Sequence, residues 1–166
     1  MKVGNNIETG NANWSFGGDV PDNFVAHIRQ SVPLYEEGHE LVCQLSDFFV
    51  ANGSLVVELG MNHRGEIARL AAIARPTIGV LTNVGTAHIE FLGSRDEIGR
   101  EKGDLVAALP ADGVAVLNGD DPRALDQAPR TRARVLRFGL SPEAEVRAER
   151  VTALGERGYA FDLVAP

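Results

Sequence analysis

The chain has 166 residues, a formal net charge of −7 and 44% hydrophobic residues, enough to bury a real core in one ordinary domain. The acidic balance argues against a general nucleic-acid or membrane-surface binder, and no apolar run approaches the roughly 18 residues of a membrane span. Cys43 is the only cysteine, which excludes an internal disulfide and argues against a cysteine-based zinc site. The N-terminus, MKVGNNIETGNANW, lacks the apolar core of a signal peptide, so a cytoplasmic protein is expected.

Residues 1 to 20 are rich in Gly and Asn and read as loop. Asp22 to Gln30 is predicted to be a short helix. Glu36 to Ala51 is predicted to be a longer one, with Leu41, Leu45, Phe48 and Phe49 on one face and Asn52-Gly53 at its end. Composition then shifts. Trp14, Phe16, Phe24, Tyr35, Phe48 and Phe49 all precede residue 55, and Ala, Val, Leu, Gly and Arg dominate beyond it.

From there helices and strands alternate. Leu55 to Leu59 reads as a strand. Glu66 to Arg75 reads as a helix with Ile67, Leu70, Ala71 and Ala74 on one face, stopped by Pro76. Ile78 to Val84 reads as a second strand. Ser94-Arg95-Asp96-Glu97 has the capping-box pattern and starts a helix to about Leu109. Val114 to Leu117, a short helix over Asp121 to Ala128, and Val135 to Phe138 follow. Strands separated by helices of this length imply a mostly parallel sheet flanked by helices, an α/β fold. Glu145 to Ala153 and Tyr159 to Val164 alternate around Gly155-Glu156-Arg157-Gly158, which predicts a C-terminal β-hairpin.

Ligands in open parallel sheets bind beyond the carboxyl ends of the strands. Glu58 falls at such an end, in SLVVELGMNHRG. His88 falls past the next, in NVGTAHIEFLGS. Asn118, Asp120 and Asp121 follow the third, in LNGDDP, and Lys102 lies on the intervening helix. A carboxylate and a neutral imidazole suit a divalent cation beside phosphate. A lysine can bind phosphate as a point charge. Taken singly, each has a plainer reading: Glu58 as a strand-end acid that caps a helix, His88 as a structural histidine, Lys102 as a solvated helix residue, and Asp120-Asp121-Pro122 as a turn and helix start.

Read in order, ELGMNHRGEIARLAAIARPTIGVLTNVGTAHIEFLGS, EKGDL, GVAVLNGDDP and RFGLSPEAEVRAE resemble the central ATP-binding domain of Mur ligases. The type most similar adds D-alanyl-D-alanine to the UDP-MurNAc-tripeptide. The resemblance covers about residues 55 to 166 and implies binding of ATP, magnesium and a UDP-MurNAc-peptide. It implies Glu58 and His88 as magnesium ligands and Lys102 as a carbamylated lysine. Asn118, with Asp120 or Asp121, would face the adenosine, and Asn83 opens the loop that carries His88. The implied reaction phosphorylates a carboxylate with ATP, and an amine then attacks the acyl phosphate. Arg64 stands where the family commonly has Pro, and Asp104 where it commonly has Glu.

No G-x-x-x-x-G-K-[ST] phosphate loop is present, because Lys2 and Lys102 are the only lysines and neither precedes Ser or Thr. An incomplete and inactive fragment is therefore expected. Residues 1 to 54 resemble instead the helical N-terminal segment of class I S-adenosylmethionine-dependent methyltransferases. That resemblance makes Tyr35 a candidate cofactor contact and S-adenosylmethionine the alternative cofactor. It also leaves the alternative of a non-catalytic chimera of two partial domains. The methyltransferase pattern stops after Gly60, where Met61-Asn62-His63-Arg64-Gly65 follows.

Overall fold

A computed structural model describes residues 54–155 and 158–166. The predicted helices over 22–30 and 36–51, and Tyr35, lie outside the described residues. Residues from Val57 to Pro166 form one unit.

Helix α1 spans Glu66–Ala74 and buries Ile67 and Ala71, as the apolar spacing predicts. Arg75 closes it in a left-handed conformation ahead of Pro76. Strand β1 spans Ile78–Leu81 and is shorter than the apolar run that marks it. Helix α2, Ile89–Leu92, interrupts the loop after His88; its four residues are too few to show a helical period in the sequence. Helix α3 spans Arg95–Ala107. Its N-cap Ser94 accepts a hydrogen bond from the Glu97 amide, the predicted half of a capping box. The Glu97 carboxylate pairs with Arg64 and Arg100 instead.

Strand β2, Val114–Asn118, is followed by the short helix α4, Pro122–Leu125. Asp121 caps α4 by accepting from the Arg123 amide, and Pro122 takes the first-turn position, where a missing N–H costs nothing. A 3-10 turn at Ala128–Arg130 leads to β3, Arg134–Gly139. Strands β4, Val146–Ala153, and β5, Tyr159–Val164, make the predicted hairpin, with Gly155 and Gly158 at positive φ in its turn.

The five strands form one sheet in the order β1-β2-β3-β4-β5. All neighbours are parallel except β4 and β5. Only Phe138 and Gly139 of β3 pair with Val146 and Arg147 of β4, so the hairpin extends the sheet past the end of its parallel part. The register puts Leu81 beside Leu117 and Gly79 beside Ala115. This face packs with Val106 from the end of α3, Leu109 just beyond that helix and Ala124 from α4. A second cluster joins Val84, Leu92 and Ile98 beneath Met61.

One expected element is absent. Ser54 to Met61 adopts no regular structure, and Leu55 is 84% exposed. The strand expected over Leu55 to Leu59 has the right composition. A strand also needs a neighbouring ladder, and β1 pairs only with β2 among the described residues.

Candidate nucleotide and metal site

The parallel strands β1 and β2 end side by side at Leu81 and Asn118, the sheet position where open α/β folds bind ligands. Side chains from β2, α3 and the start of α4 converge there on the backbone leaving β1. Asn118 donates from Nδ2 to Thr82 O at 2.7 Å, and its Oδ1 accepts from the Asp120 amide at 2.8 Å. Lys102 donates from Nζ to Asn83 O at 2.9 Å. Asp121 Oδ2 accepts from the Val84 amide at 2.6 Å. Arg95 donates to Val84 O from Nη2 at 2.6 Å and from Nε at 3.1 Å. Three successive residues are thus held by side chains from elsewhere, in place of the sheet ladder that ends at Leu81.

Burial pushes the Lys102 ammonium below its usual pKa, and the nearby Asp121 carboxylate opposes that shift. Asp120 turns the other way. Its carboxylate accepts from the Leu140 amide at 2.6 Å and the Ser141 amide at 3.1 Å. A Cβ at Gly139 would lie 2.6 Å from Asp120 Oδ2, so glycine lets β3 end against that acid.

The structure therefore gathers Asn83, Lys102, Asn118 and Asp121, while Asp120 faces the β3–β4 connection. Asp121 serves as both cap and loop anchor. His88 is exposed at the N-cap of α2 with φ 61°, and Glu58 lies in the irregular segment before α1. Carboxylate and imidazole are suitable donors for magnesium or a similar cation. Among the described residues no three His, Cys, Asp or Glu side chains converge as a metal site. The segment that follows Glu58 lies against α2, which follows His88. His63 lies tilted against Phe91 with ring centroids 4.8 Å apart, Arg64 donates to Leu92 O at 3.2 Å, and Met61 packs against the cluster of Val84, Leu92 and Ile98.

Two positioning residues escaped the sequence reading. Arg95 sits inside the capping box and looks like a solvated first-turn residue. Glu101 is buried on α3, 6% exposed, and accepts from the Gly65 amide at 2.8 Å and the Ile67 amide at 3.0 Å. It caps α1 from another helix. The available signal was its spacing: Glu101 follows the core residue Ile98 by three positions, on the face that packs inward.

Comparison with known proteins gives the lineage. The Mur ligase middle domain family model matches residues 40–165. The UDP-N-acetylmuramoyl-tripeptide--D-alanyl-D-alanine ligase of Mycobacterium tuberculosis (strain ATCC 25618 / H37Rv) is 46% identical over 92 residues, 55% of this chain and 18% of that enzyme. The enzyme of the same name from Synechocystis sp. (strain ATCC 27184 / PCC 6803 / Kazusa) is 45% identical over 86 residues, 51% of this chain and 19% of its own length. The chain thus spans about a fifth of the length of these relatives. A crystal structure of MurF from Acinetobacter baumannii superposes with a TM-score of 0.62 and 29% identity, covering 67% of this chain and 24% of that one. The MurF ligase of Thermotoga maritima in complex with ADP gives a TM-score of 0.59 and 32% identity, covering 67% and 25%. The family match begins at residue 40, inside the stretch likened to methyltransferases, and that second resemblance is not borne out. S-adenosylmethionine loses its support with it. With most of its length matched by the family model and its sheet superposing on MurF, this chain belongs to the Mur ligase family through the middle domain.

Proposed function

We propose that the chain is the nucleotide-facing part of an ATP-dependent carboxylate–amine ligase of peptidoglycan precursor synthesis, acting on a UDP-MurNAc-peptide. The observation that carries this reading is the meeting of Asn118, Lys102 and Asp121 on Thr82–Val84 at the carboxyl ends of two parallel strands. The relative from Thermotoga maritima, which has the same fold, was crystallised with ADP. Asn118, Asn83 and Asp121 are assigned to the adenosine side, whereas Asp120, whose carboxylate holds the Leu140 and Ser141 amides, is assigned to shaping the β3–β4 connection behind them. Glu58 and His88 are assigned to magnesium, which when bound would neutralise charge on the phosphoryl group in transfer. Lys102 is assigned to carbamylation, and its depressed pKa enlarges the share of neutral amine that can take up carbon dioxide.

This sequence holds no phosphate loop, whose backbone amides normally supply much of the contact to the β and γ phosphates. Weak ATP affinity and no turnover are therefore expected of the isolated chain. Calorimetric titration with ATP and magnesium tests the assignment. Binding should be present but weak, and Glu58→Ala, His88→Ala and Asn118→Ala should each reduce it at least several-fold. Binding that all three variants leave unchanged would place the nucleotide elsewhere.

A further inference from the structure

Lys102 has two assignments that one nitrogen cannot meet at once. In the structure Nζ donates to Asn83 O at 2.9 Å. The Asp121 carboxylate nearby favours the lysine's charged form and accepts from the Val84 amide at 2.6 Å. Asn83 and Val84 are thus fastened by a cation and an anion that attract each other. Carbamylation would put a carboxylate on that same nitrogen.

We propose that Lys102 is a latch on the backbone leading to His88, closed by its ammonium and released when carbon dioxide carboxylates the nitrogen. The proposal rests on the carbamylation assigned above. The step balances without an oxidant or a further reactant. The ammonium first gives a proton to water. The lone pair of the neutral amine attacks the carbon of carbon dioxide, a C–N bond forms, and one C–O π pair moves onto oxygen. The nitrogen then loses a second proton to water. The side chain passes from positive to negative.

Two fastenings weaken together. Asn83 O loses its ammonium donor, a charge-assisted hydrogen bond of the stronger kind. Asp121 acquires an anionic neighbour in place of a cationic one, which strains its hold on the Val84 amide. Asn118 on Thr82 O and Arg95 on Val84 O carry no such conflict. The segment therefore loosens at Asn83 and at the Val84 amide without leaving the end of β1. A divalent cation arriving beside the new carboxylate would offset the repulsion, so release and cation binding favour each other.

Hydrogen exchange of the Val84 amide, followed by NMR in the full chain with and without carbon-13-labelled bicarbonate, tests the latch. The parent should show a carbamate carbon resonance and a several-fold faster Val84 exchange when bicarbonate is added. Lys102→Arg keeps a cationic donor but no nucleophilic amine; it should lack that resonance and stay protected throughout. Lys102→Met should lack the resonance and exchange fast in both conditions. A Lys102 resonance with unchanged Val84 exchange overturns the latch and spares the carbamylation. No Lys102 resonance at saturating bicarbonate overturns both. Lys102→Met as protected as the parent overturns the latch independently. Circular dichroism checks the fold of each variant, and if Lys102→Met unfolds, the contrast between the parent and Lys102→Arg decides.

Discussion

Glu101 shows how one side chain can serve an element it does not belong to. The first amides of a helix have no intrahelical acceptor, and the positive end of the helix favours an anion. Gly65 at the α1 N-cap has no side chain to offer. Glu101 fills the gap from α3, taking the Gly65 and Ile67 amides on its two oxygens. Because the carboxylate is buried, truncation leaves polar groups without partners instead of exposing them to water. Glu101→Ala should therefore cost about 2–3 kcal/mol, read as a lower urea midpoint at an unchanged m-value. Glu101→Gln keeps one acceptor oxygen and should lose about half as much. The amides it holds lie at Gly65 and Ile67, so the same residue fixes where the Met61 to Gly65 segment enters α1.

At the scale of elements, two glycines separate backbone need from mere smallness. A Cβ on Gly99, in the middle of α3, would meet Gln127, Val84 and Arg123 side chains at 3.5–3.7 Å, ordinary contact distance. A Cβ on Gly113, just before β2, would lie 2.6 Å from Thr77 O and 3.0 Å from Pro110 O, and neither carbonyl can swing aside. Gly99→Ala should raise stability by about 0.5–1 kcal/mol through helix propensity. Gly113→Ala should lower it by about 1–3 kcal/mol through overpacking. Thermal melts of the two variants, moving in opposite directions, check the pair. The sequence displays both residues as one letter; only the tertiary neighbours distinguish them. The same limit explains what was legible. The apolar period of α1, the Ser94 cap that starts α3 and the hairpin turn are local, and each is readable in the sequence. The clamp on Thr82–Val84 joins residues up to 37 positions apart, from Val84 to Asp121, and no local pattern encodes it. The SLVVELG segment fails in the other direction: its composition announces a strand, yet residues 54–61 adopt no regular structure, because composition alone does not supply a sheet ladder.

Across the whole molecule the sheet is unequal on its two faces. Along β1 and β2, Gly79, Leu81, Ala115 and Leu117 point to the face that carries α3 and α4. Ile78, Val80, Val114 and Val116 alternate onto the other face, where Val80 remains 45% exposed. Stability should follow that division rather than hydrophobicity. Leu117 is fully buried, and Leu117→Ala would leave a cavity walled by Leu81, Val106 and Ala124, at a cost of about 2–5 kcal/mol. Val80→Thr keeps the β-branched shape on a half-open surface and should stay within about 0.5 kcal/mol of the parent. Denaturant titration of the two variants side by side measures the asymmetry. Equal losses would mean that the second face is covered as fully as the first. The comparison also bears on the site, because Leu117 precedes Asn118 and Val80 lies two residues before Thr82. A fall in nucleotide affinity with Leu117→Ala, absent with Val80→Thr, would show that the buried face holds the strand ends in place.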